Sequence, residues 1–141
     1  MTLIRRLLSL GLALFICMVI LDATVHPWSN PDQGEVLLFD LPGENTLFVA
    51  LADKAGLSAF EPLGRVIFAC LQLLAMVLLI LPLSRRFGAG LSSFIFASMV
   101  GGYGYLGGSF LAGDIYLALA CLTASCLIIL IHPRLPDILD S

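Results

Sequence analysis

Residues 66–106 read VIFACLQLLAMVLLILPLSRRFGAGLSSFIFASMVGGYGYL, and this stretch decides the fold. It contains two apolar blocks, 66–83 and 88–106, on either side of the basic pair Arg85 and Arg86. Each block is close to the roughly 17–25 residues that a helix needs to cross about 30 Å of hydrocarbon. The pattern predicts a helical hairpin that crosses a membrane twice.

Two further apolar blocks, 3–21 and 115–131, flank this hairpin in the 141-residue chain. Apolar residues make up 60% of the chain and charged residues only 12%, and the mean hydropathy is +1.04. Soluble domains are about a quarter charged, so this composition excludes a disordered chain and a typical cytosolic enzyme. Because a helix satisfies its own backbone hydrogen bonds in lipid, we predict an all-α membrane protein. Four transmembrane helices would form a bundle in one domain over residues 1–141.

The positions of the arginines predict how this bundle lies in the membrane. Five of the seven basic residues sit at the ends of apolar blocks, namely Arg5, Arg6, Arg85, Arg86 and Arg134. In a chain with four spans these places share one side, and the positive-inside rule puts that side in the cytoplasm. We therefore expect a multi-pass protein of the bacterial inner (plasma) membrane with both termini cytoplasmic. The long acidic segment 22–62 would then face outward.

The first apolar block also has a second interpretation, as a cleavable secretory signal. Arg5 and Arg6 precede an apolar core, as they would in such a signal. The core is long for a signal, however, and Leu21-Asp22-Ala23 lacks the small-residue pattern of a cleavage site. A first transmembrane span is the preferred interpretation.

The outer segment 22–62 is too long for a simple connection, because loops of this length are often functional. It contains a predicted short amphipathic helix within 45–57. Asn45 or Thr46 can cap the start of this helix, and Gly56 can end it. We expect the helix to lie on the outer surface of the bundle or in the membrane interface. Its apolar side is formed by Leu47, Phe48, Leu51 and Ala55.

Three features together resemble the DoxX-like family of small four-helix membrane proteins. The first span is followed by an outer helix that ends near Ala55-Gly56-Leu57. The second span begins with Leu63-Gly64-Arg65 and ends with LPLSRRFG at 81–88. The third span is rich in Gly and Ala and has Met99 near its middle. The chain departs from the family at Gln72, where members often carry an acidic residue.

This resemblance implies a redox-linked membrane function, because family members are associated with thiosulfate–quinone oxidoreductase subunits and with partners of redox complexes. We expect an accessory, non-catalytic subunit of a quinone-linked complex, packed against larger membrane subunits. The alternatives are a small quinone-reactive oxidoreductase of the DoxX-like type and a small transporter. The expected partners are the lipid bilayer and other integral membrane subunits or a second copy. Nucleic acid is excluded, since no basic patch could neutralise its phosphates.

A set of polar residues marks the outer boundary of the predicted bundle. Charge this close to hydrocarbon is costly unless it is paired, solvated or functional. Arg65 could pair with Asp22, or with Glu61 four residues earlier in the same helix. The set could form a mouth for a quinone headgroup, a small acid or protons, with His26 titrating near neutral pH. Ordinary helix-end charges are the alternative. The candidate site consists of Asp22, His26, Glu61, Arg65, Gln72 and Asp114.

Gln72 is the strongly polar uncharged side chain deep in a predicted span. We expect it to hydrogen-bond to a neighbouring helix, or to a quinone carbonyl. We therefore predict no cofactor, with a bound quinone as the alternative. No catalytic residues are predicted, since the sequence contains no Ser-His-Asp arrangement, no HExxH motif and no phosphate loop.

A glycine-rich run ends the third span and predicts close helix packing by small residues. A nucleotide-binding fingerprint would need a preceding strand, and this run follows a membrane helix instead. The glycines assigned to helix packing are Gly101, Gly102, Gly104, Gly107 and Gly108.

Three cysteines, Cys17, Cys70 and Cys121, lie at similar depth in their spans. Their alternative roles are soft packing residues and a thiolate site for a soft metal. Their spacing lacks a CxxC pattern, and His26 and His132 lie at opposite ends of the bundle. We therefore predict packing residues and no metal site.

Overall fold

The computed structural model describes residues 2–28, 35–108 and 114–133. Within these ranges the chain forms helices and turns and no strand, which confirms the all-helical prediction. A π-helical turn, Phe60–Gly64, runs directly into the third helix. The helices are α1 (Thr2–Thr24), α2 (Thr46–Ala55), α3 (Arg65–Ile80), α4 (Arg85–Leu106) and α5 (Asp114–Ile131).

Among the described residues, two helices are long and apolar enough to cross a membrane. They are Leu3–Thr24 and the continuous segment Phe60–Ile80. The apolar part of α5, Ile115–Ile131, is shorter, and α4 is interrupted by glycines and serines. Four membrane spans therefore remain a prediction.

The helix bounds differ from the predicted blocks mainly at the second span. Its helical segment begins at Phe60 instead of residue 66, because the π-helical turn extends α3 at its start. It ends at Ile80, two residues before Pro82, which has no N–H to continue the helical hydrogen bonds. A turn over 81–84 then leads into α4, three residues earlier than predicted.

α1, α3, α4 and α5 form a four-helix bundle in which α4 packs on α3 and α5, and α1 packs on the same two helices. The end of this bundle that carries α2 and the segment 35–45 is called the loop end. The end that carries the 81–84 turn is called the turn end. Small and branched side chains fill the core between them, including Ala13, Ile16, Leu79, Ala89, Phe96, Ala118 and Ile128.

α3 and α4 approach each other closely at Gly88, near the start of α4. A Cβ atom built on Gly88 would stand 2.6 Å from the backbone nitrogen of Leu79 and 2.7 Å from the carbonyl carbon of Leu78. No side chain fits at that distance, so glycine allows α3 and α4 to touch through their backbones. This contact closes the predicted hairpin.

The five glycines that were assigned to helix packing have different surroundings in the structure. A Cβ atom on Gly101 or Gly104 would meet nothing within 4 Å. Gly107 and Gly108 have positive φ values of 68° and 60° and end α4. Gly102 faces Leu51 of α2 at 3.7 Å. Close packing therefore depends on Gly88, whereas packing of Gly101 and Gly104 against another chain stays a prediction.

The predicted amphipathic helix is confirmed as α2. The Asn45 side chain accepts a hydrogen bond from the Phe48 backbone N–H at 3.2 Å, which caps the first turn. Gly56 adopts the left-handed conformation, φ 69°, that commonly ends a helix. The buried Phe48 packs with Leu37 and with Ala69 of α3, so α2 is fixed to the loop end of the bundle.

Candidate functional site

Arg65 lies at the first residue of α3 and is almost fully buried, at 2% exposure. Its Nε donates to Oε1 of Glu61 at 3.2 Å, and Glu61 is itself only 6% exposed. The two remaining guanidinium nitrogens donate to the backbone carbonyls of Leu37 and, at 2.7 Å, Asp40. We call this arrangement of Arg65, Glu61 and the two carbonyls the loop clasp. Of the two predicted pairings, the one between Glu61 and Arg65 is confirmed.

Backbone hydrogen bonds attach the same segment to the end of α1. The N–H of Leu37 donates to the Ala23 carbonyl at 3.1 Å, and the N–H of Leu38 donates to the Thr24 carbonyl at 3.2 Å. These bonds satisfy carbonyls that the last turn of a helix leaves without partners. The segment around Leu37 is therefore held by both α1 and α3, so the role of Arg65 is structural.

A cavity of about 300 Å³ opens beside the clasp, between α1, α3, α4, α5 and the start of α2. This volume is at the lower end of the range of small-molecule sites, about 300–1,000 Å³. We call it the loop-end cavity. Its apolar lining includes Ile20, Phe96, Met99 and Leu117. Its polar lining consists of Asp22, Glu35, Asn45, Thr46, Gln72 and Tyr103.

Gln72 lies in the wall of this cavity and is 1% exposed. Its Oε1 accepts a hydrogen bond from the Thr24 hydroxyl at 2.6 Å, which confirms the predicted bond to a neighbouring helix. Its Nε2 lies 3.9 Å from the sulfur of Met99, which is a weak acceptor. The amide therefore retains capacity to donate a stronger hydrogen bond inside the cavity.

The six residues of the predicted outer site do not form one site. Asp22 and Gln72 line the loop-end cavity, whereas Glu61 and Arg65 form the clasp. His26 is exposed and stacks on Trp28, with ring centroids 5.2 Å apart. The backbone of Asp114 begins α5, and its side chain lies outside the described residues.

The cysteines also separate. Cys17 and Cys121 are buried in the core, whereas Cys70 and Cys126 are exposed. Cys70 therefore does not share the core environment of the other two members of the predicted layer. In the part of the chain that the structure describes, no group of three His, Cys, Asp or Glu side chains is placed to hold a metal ion.

A second buried polar cluster joins the helices at the turn end. Ser9 of α1 lies 2.8 Å from Nδ1 of His132, which directly follows α5, and both are buried. The other ring nitrogen, Nε2, lies 3.0 Å from the carbonyl of Pro82 in the turn. A carbonyl can only accept, so Nε2 carries the proton. The Ser9 hydroxyl has a single proton, which lies within reach of both Nδ1 and the Arg6 carbonyl at 3.0 Å.

Arg85 completes this turn-end cluster and caps α3. Its Nε donates to the Leu79 carbonyl at 2.8 Å, and a terminal nitrogen donates to the Ile80 carbonyl at 3.2 Å. The side chain is 4% exposed, so it is not one of the membrane-surface arginines that orientation arguments assume. The sequence contains no specific signal for this role, because every residue has a backbone carbonyl and the residue types do not show which carbonyls Arg85 will bind.

The ring of His132 has unfavourable surroundings for a positive charge. Burial lowers its pKa below the usual 6.5, although the hydrogen bond to Pro82 opposes this effect. Nearby positive charges lower the pKa further. They belong to Arg85, Arg86 and Arg6.

We expect the stability of the chain to fall as the pH drops below about 6.5. The unfolded chain then binds a proton at His132 that the folded chain rejects, so protonation favours unfolding. Above pH 6.5 this loss is absent. Circular dichroism melts in detergent between pH 7.5 and 5.5 should show a decrease of a few degrees in Tm.

The matched comparison uses the two histidines. His132→Gln should flatten the decrease, whereas His26→Gln should leave it intact because His26 is exposed. An unchanged pH profile in His132→Gln would contradict this assignment.

No family model, curated protein or solved structure matches this chain. The DoxX-like resemblance therefore rests on the sequence features given above.

Proposed function

We propose that the chain is an integral membrane subunit with four spans. Its arginine-bearing turn end would face the cytoplasm and its loop end would face outward. Two helices with the length and apolarity of spans support this proposal. The exposed large apolar side chains on α1, α3 and α5 support it further, since such side chains favour lipid over water. They include Leu7, Leu14, Ile67, Leu74, Leu117 and Leu130.

Within the membrane we propose an accessory role, in which α4 packs against a larger subunit. One observation carries this proposal: α4 presents an exposed face on which small residues lie before and after Phe94, itself 66% exposed. Gly90, Ala97, Gly101 and Gly104 are all exposed. A Cβ atom on each of the three glycines would meet nothing within 4 Å. Small residues at helical spacing let a second helix approach closely, which is the main device of helix association in lipid.

The DoxX-like resemblance supports a redox complex as the setting for this subunit, with quinone-linked enzymes as the larger partners. The placement of the polar residues favours the accessory role over a quinone-reactive enzyme. Such an enzyme would gather Arg65, Gln72, His26 and Asp22 around one mouth. Arg65 instead holds the loop clasp, and His26 is stacked on Trp28 at the surface.

Co-purification tests the accessory role. The tagged chain, extracted gently from its native membrane, should carry larger membrane subunits in stoichiometric amounts, as measured by mass spectrometry. Replacing Gly101 and Gly104 with leucine should reduce recovery of those subunits at least about tenfold, because bulky side chains prevent close helix approach.

Gly11→Leu provides the matched control. Gly11 lies on α1, and a Cβ atom there would also meet nothing within 4 Å. Recovery of the subunits should be unchanged in this variant. Purification of the wild-type chain alone, with turnover of added quinone, would overturn the accessory role and favour the enzyme.

A further inference from the structure

The loop-end cavity has a buried wall and a polar mouth. Gln72, Phe96 and Tyr103 form its interior and are all buried, whereas Glu35 and Thr46 are exposed and mark its opening. The volume of about 300 Å³ is roughly ten times the share of one water molecule in liquid water. The cavity therefore has room for a small organic molecule.

The charges around this cavity favour a cation. Asp22 and Glu35 contribute two carboxylates, and the described lining residues include no Lys, Arg or His. Asp22 also lies in the last turn of α1, where the helix dipole adds partial negative charge. Glu35 accepts hydrogen bonds from the backbone N–H and the hydroxyl of Thr46, both at 3.1 Å. It thereby offsets the partial positive charge at the start of α2.

The interior suits a compound that has an alkylated ammonium group at one end and a hydroxyl or ester oxygen at the other. Phe96 and Tyr103 bring aromatic rings into the lining, and organic cations are attracted to the faces of such rings. The Met99 thioether adds a polarisable apolar surface beside them. The Gln72 Nε2 can donate to a ligand oxygen, since its contact in the structure is a sulfur atom at 3.9 Å.

We propose that the loop-end cavity binds a small organic ammonium compound that carries a hydroxyl or ester oxygen. The ammonium group lies on the side of Asp22 and Glu35, and the oxygen accepts from Gln72. This chemistry disfavours the small acid that the sequence analysis left open, because two carboxylates would repel it. The ligand is either a free solute or the headgroup of a zwitterionic lipid. The site is independent of the accessory role proposed above.

Equilibrium dialysis of the purified full chain with radiolabelled choline tests this proposal. The chain is held in nanodiscs of phosphatidylglycerol, which has no ammonium group. Choline binding should be saturable. Its neutral isostere, 3,3-dimethylbutan-1-ol, should bind at least about tenfold more weakly, because it has the same shape without the charge.

Variants locate the binding site. Asp22→Asn should weaken choline binding at least about tenfold, and Thr46→Lys should do the same by placing a cation at the mouth. Asp53→Asn is the matched control, since Asp53 is an exposed carboxylate of α2 outside the cavity lining. It should leave binding unchanged. Circular dichroism checks that each variant is folded, and Thr46→Lys remains informative if Asp22→Asn fails to fold.

The lipid composition identifies the source of the ligand. Loss of choline binding when phosphatidylcholine is added to the nanodiscs assigns the cavity to lipid headgroups. Unchanged binding assigns it to a free solute. Equal binding of choline and its isostere would overturn the proposal. So would unchanged choline affinity in folded Asp22→Asn and Thr46→Lys, or the absence of saturable binding in both kinds of nanodisc.

Discussion

Replacing Arg65 with methionine is expected to lower the free energy of unfolding by about 3–5 kcal/mol, the usual cost of removing one partner of a buried ion pair. Methionine fills much of the same volume but leaves the buried carboxylate of Glu61 without its counter-ion. It also leaves the carbonyls of Leu37 and Asp40 without their guanidinium donors. The loop end and the bundle that it joins should therefore unfold together at a lower temperature.

The cysteines provide the measurement. Cys17 and Cys121 are buried and react with a fluorogenic thiol dye only when the bundle opens. Cys70 and Cys126 are exposed and would react at once, so both are first replaced by serine. Thermal melts in detergent then report unfolding of the core, and Arg65→Met should show a large decrease in Tm.

Two further variants make this result specific. Lys54→Met removes an exposed cation that donates to the Tyr105 carbonyl and lies 4.6 Å from the centroid of the Tyr105 ring, and it should cost only about 1 kcal/mol. The double variant Arg65→Met/Glu61→Met removes both buried charges and should regain part of the loss. A melt of Arg65→Met that matches the parent, or a double variant that is less stable than Arg65→Met alone, would contradict the clasp.

Gly88→Ala is the second substitution with a large expected effect. The added methyl group would lie 2.6 Å from the Leu79 nitrogen and 2.7 Å from the Leu78 carbonyl carbon. Both are backbone atoms, so α3 and α4 must move apart. We expect a loss of about 3 kcal/mol, at the upper end of the usual cost of overpacking. The same thiol assay measures it.

Gly90→Ala, two residues further along α4, is the matched control. A Cβ atom there meets nothing within 4 Å. Removing a glycine from a helix interior should stabilise the chain by up to about 1 kcal/mol. Opposite signs for the two substitutions are the expected result, and equal effects would show that the backbone contact at Gly88 is not close.

The helices themselves were largely predictable, because hydropathy and end signals are local properties of the sequence. Block 115–131 and α5 differ by one residue at the start, and the capping of α2 by Asn45 and its end at Gly56 were anticipated. The predicted block began at residue 66, whereas the helical segment begins with a π-helical turn over Phe60–Gly64 that includes Pro62.

The glycine that allows the close contact between α3 and α4 was not predictable in the same way. Gly88 and Gly101 lie in one helix, and composition favours the denser run around Gly101. The difference depends on which face of α4 meets α3, and this is a tertiary property. The density of glycines in a sequence therefore does not identify the contact.

The candidate site shows a similar limit. Depth along the predicted spans put Asp22 and Arg65 at one end of the bundle, where the structure also places them. It could not assign Arg65 to the carbonyls of the preceding segment, nor Gln72 to a cavity, because these depend on how the backbone of 35–45 folds back. The turn-end contact of Ser9 with His132 joins residues that are 123 apart in the chain, and no local sequence pattern predicts it.

The loop clasp also sets an order of events during synthesis. The carbonyls of Leu37 and Asp40 leave the ribosome 28 and 25 residues ahead of Arg65. At about 5–20 residues per second, this separation corresponds to roughly one to six seconds. During that interval the nascent segment lacks the Arg65 guanidinium that binds its carbonyls in the folded chain. The segment therefore reaches its final position only after the start of the third helix has been synthesised.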